Sequence, residues 1–459
     1  MTDVMEARAR DAVLREVLER AGGPEFGQWR EQLRRAGYCR APVRLRGAID
    51  RVDRVTGART RVYDTSWEPE RVLLKACMNR RASVCPPCSE VYQRDAYQLV
   101  AAGLRGGKGV PESVAEHPMV FATFTAPGFG AVHTTPTADP LRGRCLPRRG
   151  KCAHGRPLGC WEWHRTDDPS LGRPLCPECF DYDAQAEWNA GASELWRRTT
   201  IYIRRALAGI GGMPRAELNR AARLSYVKVA EYQRRGALHF HAVFRLDGRV
   251  AEAGEYTRPG PMFTASRLAK AVESAAETVR ASSTVGWSVQ WGDELVVEVV
   301  EADAKRVARY IAKYTTKSAE DLDVCRSGDD HLRRCAEAAR RVGERAGLTA
   351  KSLARTIEGL GYRGHWTTKS RRYSTTLGAL RQARIDHAQE HRRTEPKAGD
   401  EGEGLIEAGW RYCGRGYSRA GDRWLAETAH RSKQQAAAAA WAERASRRGG
   451  GGERDQGER

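Results

Sequence analysis

Residues 231–241 read EYQRRGALHFH, and the fold of the chain turns on how this stretch is read. It closes one β-prone run, 223–233 (RLSYVKVAEYQ), and opens another, 237–247 (ALHFHAVFRLD). The link Arg234-Arg235-Gly236 is short and supplies a glycine, so the two runs predict an antiparallel hairpin. Side chains alternate along a strand, which puts His239 and His241 on one face and Leu238, Phe240 and Ala242 on the other. Two imidazoles a dipeptide apart on one face can hold a single divalent ion. Glu231, near the end of the neighbouring strand, is the natural third ligand. An N/O set with open positions suits Mg²⁺ or Mn²⁺. A lone His-x-His is usually a pair of ordinary strand histidines. A second motif, far down the chain, reverses that reading.

The chain has 459 residues, enough for two or three domains. Its 78 Lys+Arg against 58 Asp+Glu leave a formal charge of +20. Such an excess implies a polyanionic partner, nucleic acid before membrane, because no polybasic stretch adjoins an apolar anchor. No apolar run is long enough to span a bilayer. The N-terminal MTDVMEARARDAV lacks the apolar core of a signal peptide, so a cytoplasmic location is expected. In a reducing compartment the twelve cysteines read as metal ligands rather than disulfides.

In chain order, 4–36 has helical spacing, broken at Gly22-Gly23-Pro24, and 41–50 with 60–64 predict a hairpin. Cys39, Cys77, Cys85 and Cys88, the last pair a Cys-x-x-Cys, fit a closed tetrahedral zinc site. Residues 118–125 (PMVFATFT) form a β-prone run. A second cysteine-rich segment follows, with Cys145, Cys152, His154, Cys160, His164, Cys176 and Cys179. Spacing does not say which four bind; Cys152, Cys160, Cys176 and Cys179 are the first choice, with His154 and His164 in reserve. One or two structural Zn²⁺ are therefore expected, and the segment reads as an insertion that a metal folds. A helix over 184–210, the histidine hairpin, a helix over 264–281 and a strand over 294–300 complete the order β-α-β-β-α-β. That order is the signature of an α+β, ferredoxin-like antiparallel sheet with helices on one face. Residues 321–360 look helical. In GYRGHWTTKSRRYSTT (361–376), Lys369, Arg371 and Arg372 interleave with Trp366 and Tyr373, as suits a nucleic-acid strand. From about 434 the composition suggests a disordered tail.

The second motif is RYIAKYTTK, on a helix expected over 302–317. Tyr310 and Tyr314 share one helical face, and Lys313 and Lys317 an adjacent one. A tyrosine hydroxyl has a reference pKa of about 10 and is a poor nucleophile at neutral pH. It can attack a phosphodiester if a metal polarises the phosphate and cations neutralise the developing charge.

FATFTAP (121–127), EYQRRGALHFH and RYIAKYTTK, in that order, resemble motifs I, II and III of HUH-type rolling-circle replication initiators. The resemblance is nearest to the RepSA-like initiators of actinobacterial plasmids and integrative elements. It extends to NRRASVCPPC, LCPECFDYDAQAEWN and GHWTTKSRRYSTTLGALR, and so covers roughly 39–425. The resemblance implies a metal-dependent, site-specific single-strand endonuclease and strand transferase with a ferredoxin-like HUH core. Its reaction nicks one strand at a double-strand origin, forms a 5′-phosphotyrosyl link, and frees a 3′-OH for a host polymerase. By motif, Tyr314 is the nucleophile, His239 and His241 are metal ligands, and Glu231 is a further ligand. Tyr310 stands where some branches carry glutamate, and is either a second nucleophile or a structural residue.

The domain division expected is an N-terminal helix and zinc-binding region at 1–110, and a nuclease domain at 111–320 with a zinc-binding insertion at about 140–182. A helical region with a DNA-contacting segment at 321–430 and a disordered tail at 431–459 would follow. Partners would be plasmid origin DNA, single-stranded DNA, and a host helicase and polymerase, with no membrane. A conjugative relaxase, a single-strand transposase, and a zinc-dependent DNA-binding regulator without catalysis are the competing readings.

Overall fold

The computed structural model describes residues 2–134, 143–146, 148–248, 256–283, 286–300, 304–317, 329–393 and 404–449. The chain is mixed α/β with antiparallel sheets and falls into two compact units, 1–92 with 388–459, and 93–387. The boundaries expected at 110, 320 and 430 are not those of the units.

In the first unit, helices α1 (Thr2–Gly22) and α2 (Phe26–Arg35) precede strands β1 (Val43–Asp53), β2 (Arg59–Asp64) and β3 (Leu73–Lys75). α3 (Pro86–Arg105) follows, its residues from 93 onward belonging to the second unit. The last strand of the chain, β13 (Gly404–Arg415), pairs antiparallel with β1 along its whole length, from Val43 opposite Arg415 to Asp53 opposite Gly404. That ladder makes one unit of the two ends of the sequence. The final helix, α11 (Ala420–Gly449), is tied to α1 by Arg20, whose Nε donates to Asp422 at 2.7 Å. The region read as a disordered tail from 431 is therefore helical as far as Gly449; its alanine run is the best of helix formers.

The second unit is built on β4 (Met119–Thr125), the short pair β5 (Gly143–Arg144) and β6 (Trp163–His164), and α4 (Tyr182–Ile210). Next come α5 (Arg215–Ala221), β7 (Ala222–Tyr232), β8 (Leu238–Gly248) and α6 (Ala265–Thr278). The pair β9 (Ala281–Ser282) and β10 (Ser288–Val289), β11 (Leu295–Val299) and α7 (Ala304–Lys317) follow. After α8 (Asp330–Arg345) and α9 (Ala350–Glu358) come β12 (Thr367–Lys369) and α10 (Leu377–Arg393). The central sheet is antiparallel throughout, in the order β11-β4-β8-β7-β12.

The turn between β7 and β8 is the three-residue link read from the sequence. Gln233 and Gly236 close it with a 2.9 Å hydrogen bond, and Gly236 takes φ +78°, a conformation costly for any residue with a Cβ. Beyond it, alternation sorts β8 into two faces. Leu238, Phe240, Ala242, Phe244 and Leu246 are buried against α4, α6 and α8. Each buried phenylalanine contributes roughly 1.5–3 kcal/mol. α4 meets this face because Trp188, Ala192, Leu195, Ile203 and Leu207 recur at helical spacing, whereas Ile201 is half-buried. Asp181 caps the helix by accepting from the Ala184 amide at 2.9 Å.

The other face carries His239, His241, Val243, Arg245 and Asp247, and it is covered too. Val227, Val229 and Val243 pack with Leu99 to Leu104 of α3, Ala308 and Ile311 of α7, and Leu380 of α10. Buried charges there are paired: Arg245 donates to Asp247 at 2.6 Å, and Asp247 also meets His117 at 2.9 Å and Ser225 at 2.6 Å.

Candidate functional site

Glu231 lies directly across the β7–β8 ladder from His239. Cross-strand partners present their side chains on the same face, so the register alone brings a carboxylate to the two imidazoles. One Glu231 oxygen, Oε2, stands 3.2 Å from His239 Nε2 and 3.3 Å from His241 Nε2. Cis positions of an octahedron with bonds of about 2.1 Å are about 3.0 Å apart, so these spacings fit three ligands on one face of a Mg²⁺-like ion.

Protonation favours ligation. Burial pushes Glu231 up, but its bonds to His239 and His241 outweigh that, and its pKa ends below the ordinary carboxylate value. Burial holds His241 below the usual histidine value, with Glu231 opposing the shift only in part. At neutral pH the carboxylate is charged and this imidazole is neutral. Thr123, opposite His241 on β4, places its Oγ1 2.9 Å from His241 Nδ1. When Nδ1 donates to that hydroxyl, Nε2 turns a lone pair toward the carboxylate. A cation between them resolves the repulsion. Thr123 was not among the residues expected at the site. Its signal was the same period-two alternation, which puts Thr123 and Thr125 of FATFT on one face.

Helix α7 packs on this face through Ala308 and Ile311. The Tyr310 ring stands edge-on to His241, with centroids 5.1 Å apart, and to Phe121 at 5.6 Å. Lys313 is exposed one turn on. Tyr314 and Lys317 belong to α7 by backbone, but their side chains lie outside the described residues.

The expected DNA-contacting segment is only partly a surface. Residues Thr367–Lys369 add an edge strand to β7. Tyr373, expected to stack on bases, is fully buried: its hydroxyl donates to the Val100 carbonyl at 3.2 Å, and Arg245 lies over its ring. A cation beside an aromatic in the sequence proved to be edge and core rather than a stacking platform. Trp366 is half-buried against Tyr232 and Tyr362. Lys369 is half-buried too, and donates to the Ser374 carbonyl at 3.0 Å. Arg371 is exposed and Arg372 half-buried.

Among the described residues, nine cysteines fall into three separate groups. Cys39, Cys77, Cys85 and Cys88 converge as expected, with sulfurs 3.7 Å apart for Cys39–Cys85, Cys77–Cys88 and Cys88–Cys39. The single set Cys152, Cys160, Cys176 and Cys179 does not form. Cys152, Cys176 and Cys179 gather with His154, while Cys160 joins His133, Cys145 and His164. The cause is local pairing: where β5 and β6 extend, Cys145 stands opposite Glu162 and Cys160 lies diagonal to it on the same side, held by Cys145 N to Glu162 O at 2.9 Å and Cys160 N to Leu146 O at 2.8 Å. His133 was missed because it stands apart from the cysteines in sequence.

A part-buried Glu-His-His triad on an antiparallel sheet, faced by a tyrosine-bearing helix, in a strongly basic chain, is the setting in which the comparisons with known proteins fall. A replication initiator protein of Streptomyces ambofaciens is 39% identical over 451 residues, covering 92% of this chain and 93% of that relative. The chain is thus similar, nearly end to end, to a replication initiator. The family model described as RepSA, replication initiator protein, pSAM2, matches residues 25–431, and the chain belongs to this family. No solved structure matches. Among the described residues, no helix is long and apolar enough to cross a membrane.

Proposed function

We propose that this replication initiator works by rolling circle, as an HUH-type endonuclease of a plasmid or integrative element that nicks one strand of its origin. The observation that carries the reading is the convergence of Glu231, His239 and His241 on one point beneath helix α7. In chain order, β4, β7, β8 and β11 stand in the sheet as fourth-first-third-second, with α4 and α6 on one face. That order supports a ferredoxin-like HUH core.

The donor set would hold Mg²⁺ or Mn²⁺, which supplies Lewis-acid polarisation of the scissile phosphate when bound. Thr123 orients His241, and Glu231 stays ionised. The Tyr314 hydroxyl gives up its proton to solvent as its oxygen bonds to phosphorus, the bond from phosphorus to the 3′-oxygen breaks, and that oxygen leaves as a 3′-OH by taking a proton from solvent. Lys313 and Lys317 would offset negative charge in this step. Tyr310, with its ring against His241 and Phe121, holds the helix to the histidine strand; a second transfer role for its hydroxyl is the competing assignment. The +20 charge supports DNA as the partner, both the duplex origin and the displaced strand. A host helicase and polymerase would extend the freed end. Structural zinc at the cysteine groups completes the cofactor set.

Among the readings open from the sequence, membership of an initiator family favours initiation over conjugation or transposition. A non-catalytic regulator would have no use for a carboxylate and two imidazoles sharing one point. The test is incubation of supercoiled origin plasmid with the protein and Mg²⁺ or Mn²⁺. Relaxation with protein attached at the new 5′ end is expected. Intact supercoils with both ions, under conditions where the origin is bound, would remove the nuclease reading.

A further inference from the structure

We propose that eight side chains between positions 133 and 179 hold two zinc ions in interleaved sites, and that the lobe they organise fixes the Arg234 side of the β7–β8 turn. This goes beyond one or two zinc ions per chain and does not depend on the nicking chemistry. In chain order the ligands come in four pairs: His133 with Cys145, Cys152 with His154, Cys160 with His164, and Cys176 with Cys179. The first and third pairs form one group, and the second and fourth the other.

The distances are those of metal tetrahedra. Bonds of about 2.3 Å to sulfur and 2.0–2.1 Å to nitrogen give tetrahedral edges of about 3.3 Å between nitrogens and about 3.8 Å between sulfurs. In the first group His133 Nδ1 lies 3.1 Å from His164 Nε2 and 3.8 Å from Cys145 Sγ, and Cys160 Sγ lies 3.5 Å from His164 Nε2. In the second, His154 Nδ1 lies 3.2 Å from Cys179 Sγ and 3.7 Å from Cys176 Sγ. All these thiols are free, so disulfides do not account for the clusters.

An independent observation stands behind the first group. His164 turns its other nitrogen, Nδ1, to the Asp168 carboxylate at 2.7 Å. A carboxylate behind a ligating imidazole fixes its tautomer and orientation, and is the usual outer partner of a zinc-bound histidine. Ser170 holds Asp168 in turn, its hydroxyl donating at 2.6 Å. The second group is framed by two tight turns, with Gly155 N to Cys152 O at 2.9 Å and Cys179 N to Cys176 O at 3.2 Å. Interleaving means that neither ion can be held by one half of the segment alone, so the lobe orders as a unit. Its apolar content is poor, with Leu158, Trp161 and Trp163 exposed.

The loop that carries Asp168 grips the hairpin. Arg234 donates to the carbonyls of Asp168 at 2.8 Å and Thr166 at 2.7 Å, and Arg173 donates back to the Arg234 carbonyl at 2.8 Å. Gly172 lets the loop approach the turn this closely, since a Cβ there would fall 2.6 Å from the Arg234 Cβ. Glu231 and His239 flank this turn, so an ordered zinc lobe steadies the register in which they meet. The turn's other arginine, Arg235, is anchored separately, to the Ala126 and Pro127 carbonyls.

Metal analysis and zinc-edge X-ray absorption on the full wild-type chain test the sites without mutation. Three zinc ions per chain, averaging three sulfur and one nitrogen ligand each, are expected from the two interleaved groups plus the Cys39 group. Two zinc ions with four sulfurs each would overturn the interleaved assignment. Cys160→Ser and Cys179→Ser should each lose one zinc, and hydrogen exchange then reads the clamp. With Cys160→Ser, amide protection across 233–237 should fall at least tenfold while the 43–75 sheet is unchanged. Full protection of that turn after loss of the zinc would overturn the clamp.

Discussion

The ring of Tyr310 stands at 86° to that of His241, centroids 5.1 Å apart, and so keys helix α7 directly onto the strand that carries both histidines. Tyr314 follows one turn later, on the same face of the helix. The contact assigns Tyr310 to packing, and on the proposed reading the attack on DNA is left to Tyr314.

That division predicts different outcomes for the two tyrosines. Tyr314→Phe should form no covalent adduct with a single-stranded origin oligonucleotide. Tyr310→Phe keeps the ring that meets His241 and should still form it, with any loss confined to the second strand transfer. Equal adduct from both single mutants, and none from the double, would make the two interchangeable and refute the division.

The metal ligands and their support should fail to different degrees. His239→Ala or His241→Ala should cost roughly 10²-fold or more in nicking, the scale of losing one electrostatic stabiliser, with duplex binding retained. Thr123→Val removes only the oxygen that orients His241, so metal affinity should fall by roughly 10- to 100-fold and excess Mn²⁺ should restore the rate. Metal titrations of the nicking rate distinguish these; a Thr123→Val curve matching wild type would discard its orienting role.

Electrostatics offers a third check. Arg371 and Arg372 retain exposure in the 361–376 segment, whereas Lys369 already spends its ammonium on backbone carbonyls. If the two arginines contact phosphates, changing both to Ala should flatten log K against log salt by a little under one unit each. An unaltered slope would put the DNA path elsewhere.

A fourth prediction concerns Lys228, buried on the α4 face of β7 with Nζ 3.1 Å from the Tyr362 hydroxyl. Burial drives its pKa down to about 7. Between that value and about 10.4 in the unfolded chain, the unfolded state binds more protons, so stability should rise with pH across this window. At neutral pH the folded protein carries a penalty of about 1.4 kcal/mol for each pKa unit separating the pH from the unfolded value. Lys228→Met should raise the urea midpoint at pH 7.5 and remove most of the rise toward pH 10. An identical pH dependence in the variant would disprove the assignment.

The hairpin and its triad were legible because period-two alternation and one glycine determine both faces and the turn. Helix α4 was legible through the recurrence of Trp188, Leu195 and Leu207. The β13–β1 ladder was not, since pairing across some 350 residues leaves no local pattern. Tyr373 misled because a tyrosine between arginines reads the same whether its ring faces solvent or fills the space beside Gly103. His133 was hidden for a related reason: it reaches its group by pairing with 172–173, where His133 N bonds Arg173 O at 2.9 Å.

On the proposed reading, a tyrosine nucleophile on α7 acts at the Glu231-His239-His241 centre. That reading is tested most directly by trapping the wild-type protein on a single-stranded origin oligonucleotide with Mn²⁺ and mapping the adduct by peptide mass spectrometry. One oligonucleotide per chain, bonded through phosphate to Tyr314, is expected. An adduct on a residue outside α7, or cleavage that leaves no protein-linked 5′ end, would contradict it.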